Sequence, residues 1–403
     1  MDVDTAFLNA ALDEDIYMEQ PKGFEKVGEN GTQLVCRLIK SLYGLKQSPR
    51  NWSSTLSQWL AEHGFTQAKS DAGVFVSTTS HGTYILVVYV DDIIIVGPSI
   101  DWICNFKAII QQKFSIKDLG QAEWILGISV SYDKKNKTLK LQQSKYIDDL
   151  LCRFGMVDCK PASTPAVSGM VLGASSKLDE VAAKKYRSLV GSLLYAATST
   201  RPDIAYSVSY LSRFMANPDV QHLSAAKRVL RYLKGTKEKG LVYSGNAAAK
   251  SLIGYSDADW AGDSERRSTS GYVFFMHGAT ISWKSQRQQT VALSTAESEY
   301  MALCSAAKEA TFLTNLGKEI GCLQTEPCTI YDDNQSCIFL AKNPVSNSRT
   351  KHIDIQYHFT REKVATKEID IVYCPSEEMI ADIMTKPLAL VLHEKLSNTM
   401  LSG

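Results

Sequence analysis

The apolar and polar positions of this chain change rhythm several times along its length. Tyr84-Ile-Leu-Val-Val-Tyr-Val90 and Ile93-Ile-Ile-Val-Gly97 are two β-branched, aromatic-rich runs separated only by Asp91 and Asp92. That spacing predicts a tight hairpin with carboxylates at its tip. Upstream, Trp52 to His63 suits a helix that stops before Gly64. From about Tyr186 to Lys239 the pattern is helical. Within that stretch Val229, Leu230, Tyr232 and Leu233 interleave with Lys227, Arg228, Arg231, Lys234, Lys237 and Lys239, an amphipathic helix with a basic face. The last part returns to strands: Ser251 to Ser256 leading into Asp257, Gly271 to Met276, and Thr280 to Trp283. Thr295 to Ile320 reads as a long helix stopped by Gly321. A short strand, Thr329 to Tyr331, enters Asp333; another covers Ile369 to Cys374, and a helix follows from Glu377 to Met384. This order predicts an α/β layer on a mixed sheet.

Two stretches interrupt these rhythms. Pro161 to Ser176, rich in Pro, Ser, Gly and Ala, reads as a linker or long loop, and Ser244 to Ala249 carries little pattern of any kind. They divide the chain into 1–160, 161–248 and 249–403, with no internal repeat. At 403 residues, 44% hydrophobic and 22% charged, the chain is long enough for two or three parts that each bury a core. The net charge of +1 supplies no global attraction to phosphates, so a nucleic-acid partner would depend on local basic tracks. The nine cysteines (Cys36, Cys104, Cys152, Cys159, Cys304, Cys322, Cys328, Cys337 and Cys374) are scattered and never spaced Cys-x-x-Cys. This argues against a zinc ribbon and against a secreted disulfide scaffold. Reduced thiols in an intracellular protein fit better. The chain opens Met-Asp-Val-Asp rather than with a signal peptide, and its most apolar stretch, Tyr84 to Gly97, is too short to span a bilayer. No membrane partner is expected.

Adjacent aspartates between apolar runs call for an explanation, because burying paired carboxylates without a cation costs on the order of several kcal/mol. A divalent metal, which takes hard oxygen ligands beside substrate phosphates, is one explanation. A turn exposed to water is the other. Asp257, Glu299, Asp333 and Asp382 form a second set: singly each reads as a surface residue, yet folding could gather them at strand ends.

Longer motifs add to this reading. Asp2-Val-Asp-Thr-Ala-Phe7, Lys40-Ser-Leu-Tyr-Gly-Leu-Lys-Gln-Ser-Pro-Arg-Asn-Trp52, Tyr89-Val-Asp-Asp92, Phe114-Ser-Ile-Lys-Asp-Leu-Gly120 and Leu126-Gly-Ile128 occur in order. Together they resemble the reverse transcriptase of Ty1/copia-type retrotransposons. Tyr255-Ser-Asp-Ala-Asp-Trp-Ala-Gly262, Arg267-Ser-Thr-Ser-Gly-Tyr272, Ile281-Ser-Trp-Lys284, Leu293-Ser-Thr-Ala-Glu-Ser-Glu-Tyr300, Asp333-Asn-Gln-Ser336 and Ala381-Asp-Ile-Met-Thr-Lys-Pro387 are similar to the ribonuclease H domain of the same elements. Tyr186 to Tyr195, Arg201-Pro-Asp-Ile-Ala205 and His222 to Gly235 match the segment that joins them. The resemblance runs from Met1 to about Leu388.

The resemblance implies an α+β and α/β multidomain protein. Its parts would be a truncated polymerase palm with a catalytic β-hairpin (1–160), a linker with a helical thumb or connection (161–248), and a ribonuclease H-like mixed-sheet domain (249–403). Asp2, Asp91 and Asp92 would hold one pair of Mg2+ ions (Mn2+ being the alternative), and Asp257, Glu299, Asp333 and Asp382 another. Phe7 would exclude a nucleotide 2′-hydroxyl; Gln47, Ser48 and Arg50 would lie along the template and incoming nucleotide. For Phe7 a plain core aromatic, and for the segment after Gln47 a helix-capping turn, are equally open. Glu297 competes with Glu299 and Asp332 with Asp333; the family pattern favours Glu299 and Asp333, and Asp332 departs from the cysteine usual there. Asp259 and Asp263 read as solvated loop residues. Lys227, Arg228, Arg231 and Lys234 would form a phosphate track along a hybrid duplex, or else a solvated face. Lys351 and His352 match a further motif, with His352 a general acid or a structural histidine. The partners implied are an RNA template, a DNA primer, the RNA–DNA hybrid, dNTPs and other segments of a parent polyprotein, in a cytoplasmic particle or the nucleus. The fingers that precede the first aspartate in the family are not in this sequence, so a polyprotein fragment with an incomplete polymerase is expected. A nuclease alone, or a silent relic that binds nucleic acid, is the alternative.

Overall fold

The computed structural model describes residues 1–169, 172, 176–245, 251–262, 265–323, 326–343 and 354–401. They form two compact units, one of residues 1–122 with 315–322 and one of 123–314 with 323–403.

In the first unit β1 (Asp2–Val3), β4 (Thr66–Gln67), β5 (Val74–Thr79), β6 (Gly82–Tyr89), β7 (Asp92–Val96) and β8 (Ile116–Lys117) make an antiparallel sheet in the order β4-β5-β6-β7-β1-β8. A separate ribbon pairs β2 (Tyr17–Glu19) with β3 (Val35–Arg37). Helix α1 (Ser48–Glu62) starts with Pro49 in its first turn and gives way to Gly64 at φ +82°. Its Trp52, Leu56, Trp59 and Leu60 fall on one face. With Phe106 and Ile110 of α2 (Ile100–Lys113) they bury Phe75, Leu86 and Ile93 of the sheet.

The β6–β7 hairpin differs from expectation at its tip. Tyr89 pairs with Asp92, so the two loop residues are Val90 and Asp91, and Asp92 already belongs to the strand. Val90 has φ +57°, a strained conformation for a β-branched residue. The tight right-twisted hairpin demands positive φ there, and no glycine is present to supply it.

In the second unit β9 (Trp124–Ile125), β10 (Ile128–Asp133), β11 (Thr138–Gln142) and β12 (Leu241–Ser244) form a sheet in the order β12-β11-β10-β9. Residues 123–160 group with this unit, in which β11 pairs with β12 across the expected boundary at 160. Helices α3 (Ser144–Arg153), α4 (Glu180–Ser199), α5 (Ala205–Ser212) and α6 (Val220–Gly235) share one apolar core. Beyond them lies the mixed sheet. Its strands are β13 (Ile253–Asp259), β14 (Thr269–Met276), β15 (Ala279–Arg287), β16 (Cys328–Asp332) and β17 (Ile369–Tyr373), in the order β15-β14-β13-β16-β17. β13 is antiparallel to β14 and parallel to β16, as the strand–helix order required. Helices α7 (Thr295–Glu319), α8 (Gln335–Lys342) and α9 (Asp354–Ala365) accompany it.

The helix expected over Glu377 to Met384 is instead a pair of 3-10 turns, Ser376–Glu378 and Ile380–Met384, and a further helix, α10 (Leu390–Met400), follows. Met379, between the two turns, has extended backbone (φ −70°, ψ 98°), which interrupts any continuous helix. The second turn lies directly on the sheet at Gly271, where an added Cβ would meet Met384 Cβ at 2.5 Å and Thr385 Cγ2 at 2.8 Å. Among the described residues no helix is long and apolar enough to cross a membrane. Replacing Gly271 by Ala is expected to destabilise the protein by about 1–3 kcal/mol through overpacking, which denaturant unfolding would measure.

Candidate metal centres

The mixed sheet concentrates acidic groups in one place. Asp257 lies inside β13, opposite Gly271 of β14, and is almost wholly buried. Glu299 comes from the first turns of α7. That helix starts at Ser294, whose hydroxyl accepts from the Glu297 N–H, while the Glu297 carboxylate accepts from the Leu293 N–H at 2.8 Å. Glu297 is thus occupied in capping, in the manner of a capping box, and Glu299 is left to face the sheet. At the end of β16 the two neighbouring aspartates diverge. Asp332 is fully buried and accepts from the Asn334 N–H at 2.8 Å, holding the start of α8. Asp333 is half-buried and accepts from Ser376 Oγ at 2.6 Å.

Carboxylate oxygens of Asp257, Glu299 and Asp333 lie within 4.8 Å of one another, the one such group among the described residues. Burial, reinforced by Asp257, Asp332 and Asp333, pushes the Glu299 carboxyl up to about 11. Burial likewise raises Asp257 to about 7, with Asp382 and Asp333 adding and Lys386 and Thr385 opposing. Asp332 is also raised to about 7, again chiefly by burial. Glu299 Oε2 is buried with no hydrogen-bond partner. A pocket of hard oxygen donors that resists ionisation and holds an orphaned carboxylate oxygen fits a divalent cation.

Asp382, on the second 3-10 turn, stands next to this group. Its Oδ1 is 2.8 Å from Lys386 Nζ, and Thr385 Oγ1 donates to Asp257 Oδ2. Asp259 is not a solvated loop residue. It is the last residue of β13, half-buried, and shares a face with Asp257 because side chains alternate along a strand. Burial raises its carboxyl, Asp382 adds, and Lys386 and Arg213 oppose. Thr385 and Lys386 were not singled out from sequence, although they sit inside the 381–387 motif. Asp263, Lys351 and His352 lie outside the described residues.

In the first unit Asp2 is tied into the sheet between β7 and β8, paired with Asp92 on one side and Lys117 on the other. The Val3 N–H donates to Asp91 O at 2.8 Å, and the Met1 ammonium to Ile93 O at 2.8 Å. This backbone is therefore held on both edges. Burial and then the neighbouring Asp91 and Asp2 raise the Asp92 carboxyl, against the N-terminal ammonium. Trp52 Nε1 donates to Val90 O at 2.7 Å and so braces the strained hairpin tip, a contact that no local sequence signal announced. Phe7 is half-buried with its ring 4.7 Å from Tyr43, and lines a cleft with Pro49, Trp52 and Val90. Gln47 Nε2 reaches Glu14 at 3.4 Å, and Arg50 is exposed. Ser48 is fully buried, its hydroxyl donated to Leu42 O at 2.6 Å, so this side chain holds the turn before α1.

The basic face of α6 proves to be largely occupied. Arg228 donates to Thr164 Oγ1 at 2.9 Å and Arg231 to Lys160 O at 2.6 Å. Lys234 donates to the carbonyls of Val157 and Cys159 at 2.6 and 2.7 Å. These cations fasten the 157–164 segment, whose carbonyls have no strand or helix partner, so part of their hydrogen-bonding capacity serves the fold. Lys227 is half-buried beside them.

A family model described as reverse transcriptase (RNA-dependent DNA polymerase) matches residues 1–168. A putative transposon Ty5-1 protein of Saccharomyces cerevisiae is 35% identical over 312 residues, covering 77% of this chain and all of that protein. This chain belongs to the Ty1/copia-type retrotransposon Pol family. The retrovirus-related Pol polyproteins from transposon TNT 1-94 of Nicotiana tabacum and transposon RE1 of Arabidopsis thaliana are 42% and 41% identical, each over 96% of the chain. The chain spans 29% and 26% of their lengths. Among solved structures, a ribonuclease H1 (LC11) in complex with RNA/DNA hybrid is 19% identical over 33% of this chain and 93% of that one, with a TM-score of 0.27.

Two outcomes follow for this copia-type chain. Without metal, the raised carboxyls stay protonated in the folded state above about pH 4, where the unfolded chain has released those protons. Stability therefore falls as pH rises from about 4 through 7 and beyond. Glu299→Gln is expected to flatten that slope and raise the metal-free Tm at pH 8, measured by thermal melting. Lys234→Ala is expected to cost about 1–3 kcal/mol of stability. It should leave the salt slope of hybrid binding unchanged, whereas a lost phosphate contact would reduce that slope by about 1.

Proposed function

We propose that the chain is the reverse transcriptase and ribonuclease H portion of a retrotransposon polyprotein, and that its nuclease hydrolyses RNA in RNA–DNA hybrids. The observation that carries this reading is the convergence of Asp257, Glu299 and Asp333 to within 4.8 Å in a pocket that disfavours their ionisation. Asp257, Glu299 and Asp333 would hold a divalent ion, Mg2+ or Mn2+, and Asp382 borders the place of a second. Bound ions would activate a water and offset charge on the leaving 3′-oxygen, the two-ion chemistry of phosphodiester hydrolysis. The chain's own residues do the arranging. Thr385 Oγ1 orients Asp257, and Ser376 Oγ orients Asp333.

In the polymerase part, residues 1–160, Asp2, Asp91 and Asp92 would carry the ions for dNTP addition to a DNA primer on an RNA template. Phe7 would act against the 2′-hydroxyl, beside Gln47 and Arg50. Residues 161–248 would join this part to the nuclease at 249–403. The setting is a cytoplasmic particle or the nucleus, with the rest of the polyprotein as partner.

The test is cleavage of a labelled RNA–DNA hybrid with Mg2+, with primer extension in parallel. Asp333→Asn is expected to lower cleavage by more than about a hundredfold, since losing an outer-sphere partner of a metal ligand alone costs ten- to a hundredfold. Cleavage without extension would reduce the chain to a nuclease. Binding of the hybrid with neither activity would overturn the enzymatic reading and leave a nucleic-acid-binding relic.

A further inference from the structure

The stretch that begins at Pro161 has no part in the metal centres, yet its first residues are fixed in place. The Ala162 N–H donates to Arg231 O at 3.2 Å. The Thr164 hydroxyl donates to Ala166 O at 2.7 Å and accepts from Arg228 Nη2 at 2.9 Å. Pro165 and Val167, held by these bonds, line a cavity together with Tyr206, Tyr210 and Leu211 of α5 and Arg228 of α6. Its empty space is about 410 Å3, mouth included, within the usual range for a small-ligand pocket. Pro387, directly after the turn that carries Asp382 and Lys386, also lines it.

Most of this lining is apolar and stiff. Tyr206 and Tyr210 stand one helical turn apart with nearly parallel rings, 12° between planes and 6.0 Å between centroids. Rigid proline rings and aliphatic side chains complete the walls. Such faces suit a planar aromatic body, and little ordering is needed when it arrives.

Arg228 is the exception. Its Nε is buried without a hydrogen-bond partner. Burial lowers its pKa, Arg231 lowers it further, and no carboxylate among the described residues raises it. A guanidinium keeps its charge even so, and positive charge therefore stands uncompensated at the cavity wall. An anion is the missing partner. A phosphate would lose more hydration in an apolar hollow than one guanidinium returns, whereas a single carboxylate matches the planar fork.

We propose that this cavity binds a small planar aromatic carboxylate, its ring against Tyr206 and Tyr210 and its carboxylate on Arg228. The site lies outside the acidic cluster and needs neither metal nor nucleic acid. It therefore stands or falls separately from the nuclease reading.

Isothermal titration calorimetry of the whole chain with 2-naphthoate, in EDTA, tests this. One saturable site is expected, with a Kd of about 1 mM or tighter, the range for a ligand of this size. The neutral isostere 2-naphthamide is expected to bind at least about tenfold more weakly, because it loses the charge-assisted bond. Ala225→Phe, which fills the cavity from α6, is expected to abolish binding, and its thermal melt reports whether it still folds. Should that variant not fold, Arg228→Met decides, with an expected loss of at least about tenfold. No saturation by about 10 mM in the unaltered chain would overturn the proposal. So would equal affinity for acid and amide, undiminished binding in a folded Ala225→Phe or Arg228→Met chain, or displacement of 2-naphthoate by equimolar inorganic phosphate, which would reduce the cavity to a plain anion site.

Discussion

Negative charge gathered where water cannot reach it is the constraint around which the second unit is organised. Asp257, Glu299 and Asp332 are each less than a tenth exposed, and Asp333 and Asp382 adjoin them. Such a set is unfavourable unless protonated, paired or metal-bound. The fold answers with fixed donors, the Asn334 N–H to Asp332, Thr385 to Asp257 and Ser376 to Asp333, and with the Lys386 ammonium paired to Asp382. What these leave without a hydrogen bond, the buried Glu299 Oε2, Asp332 Oδ2 and Asp382 Oδ1, is the part a divalent ion can serve. The cost of the cluster in the metal-free state and its affinity for metal are two expressions of the same electrostatics.

Elsewhere in that unit the same problem has a different answer. Arg201 and Asp203 are completely buried and joined by two hydrogen bonds of 2.9 and 2.7 Å. Burial alone would push the Asp203 carboxyl up, but the guanidinium beside it outweighs burial and holds it down. Thr236 accepts two further guanidinium hydrogens, and the Tyr232 hydroxyl donates to Asp203 at 2.7 Å. A buried pair complete in this way ties the turn before α5 to the end of α6, and loss of one partner would strand the other charge. The cations on the outer side of α6 are spent similarly, on the carbonyls of 157–160. Positive charge here serves the fold before it can serve a ligand.

In the first unit the equivalent device is backbone strain. Val90 at φ +57° is accepted because Trp52 holds its carbonyl and because β1 pairs with Asp92 and holds the Asp91 carbonyl through the Val3 N–H. Strain held by surrounding packing places two carboxylates reproducibly at a strand end, which a flexible turn would not do. Asp2, the second residue of the chain, has hydrogen-bonded neighbours on both sides and shares in that rigidity.

The amino-acid order by itself determined the hairpin, the α1 stop at Gly64 and the mixed sheet with α7. Each rests on local periodicity, on turn chemistry, or on motifs whose residues are close in the chain. Choosing Glu299 over Glu297 and Asp333 over Asp332 needed the family pattern, and the fold supplies the physical reason: Glu297 and Asp332 are consumed as helix-start acceptors. Three features were decided only by tertiary structure. The cations of α6 fasten the 157–164 segment, Asp259 joins the acidic face, and Lys386 pairs with Asp382. A charged side chain reads the same in sequence whether it meets water, a carbonyl or a carboxylate. Only packing between distant segments, such as the turn seated on Gly271, determines which of these it meets.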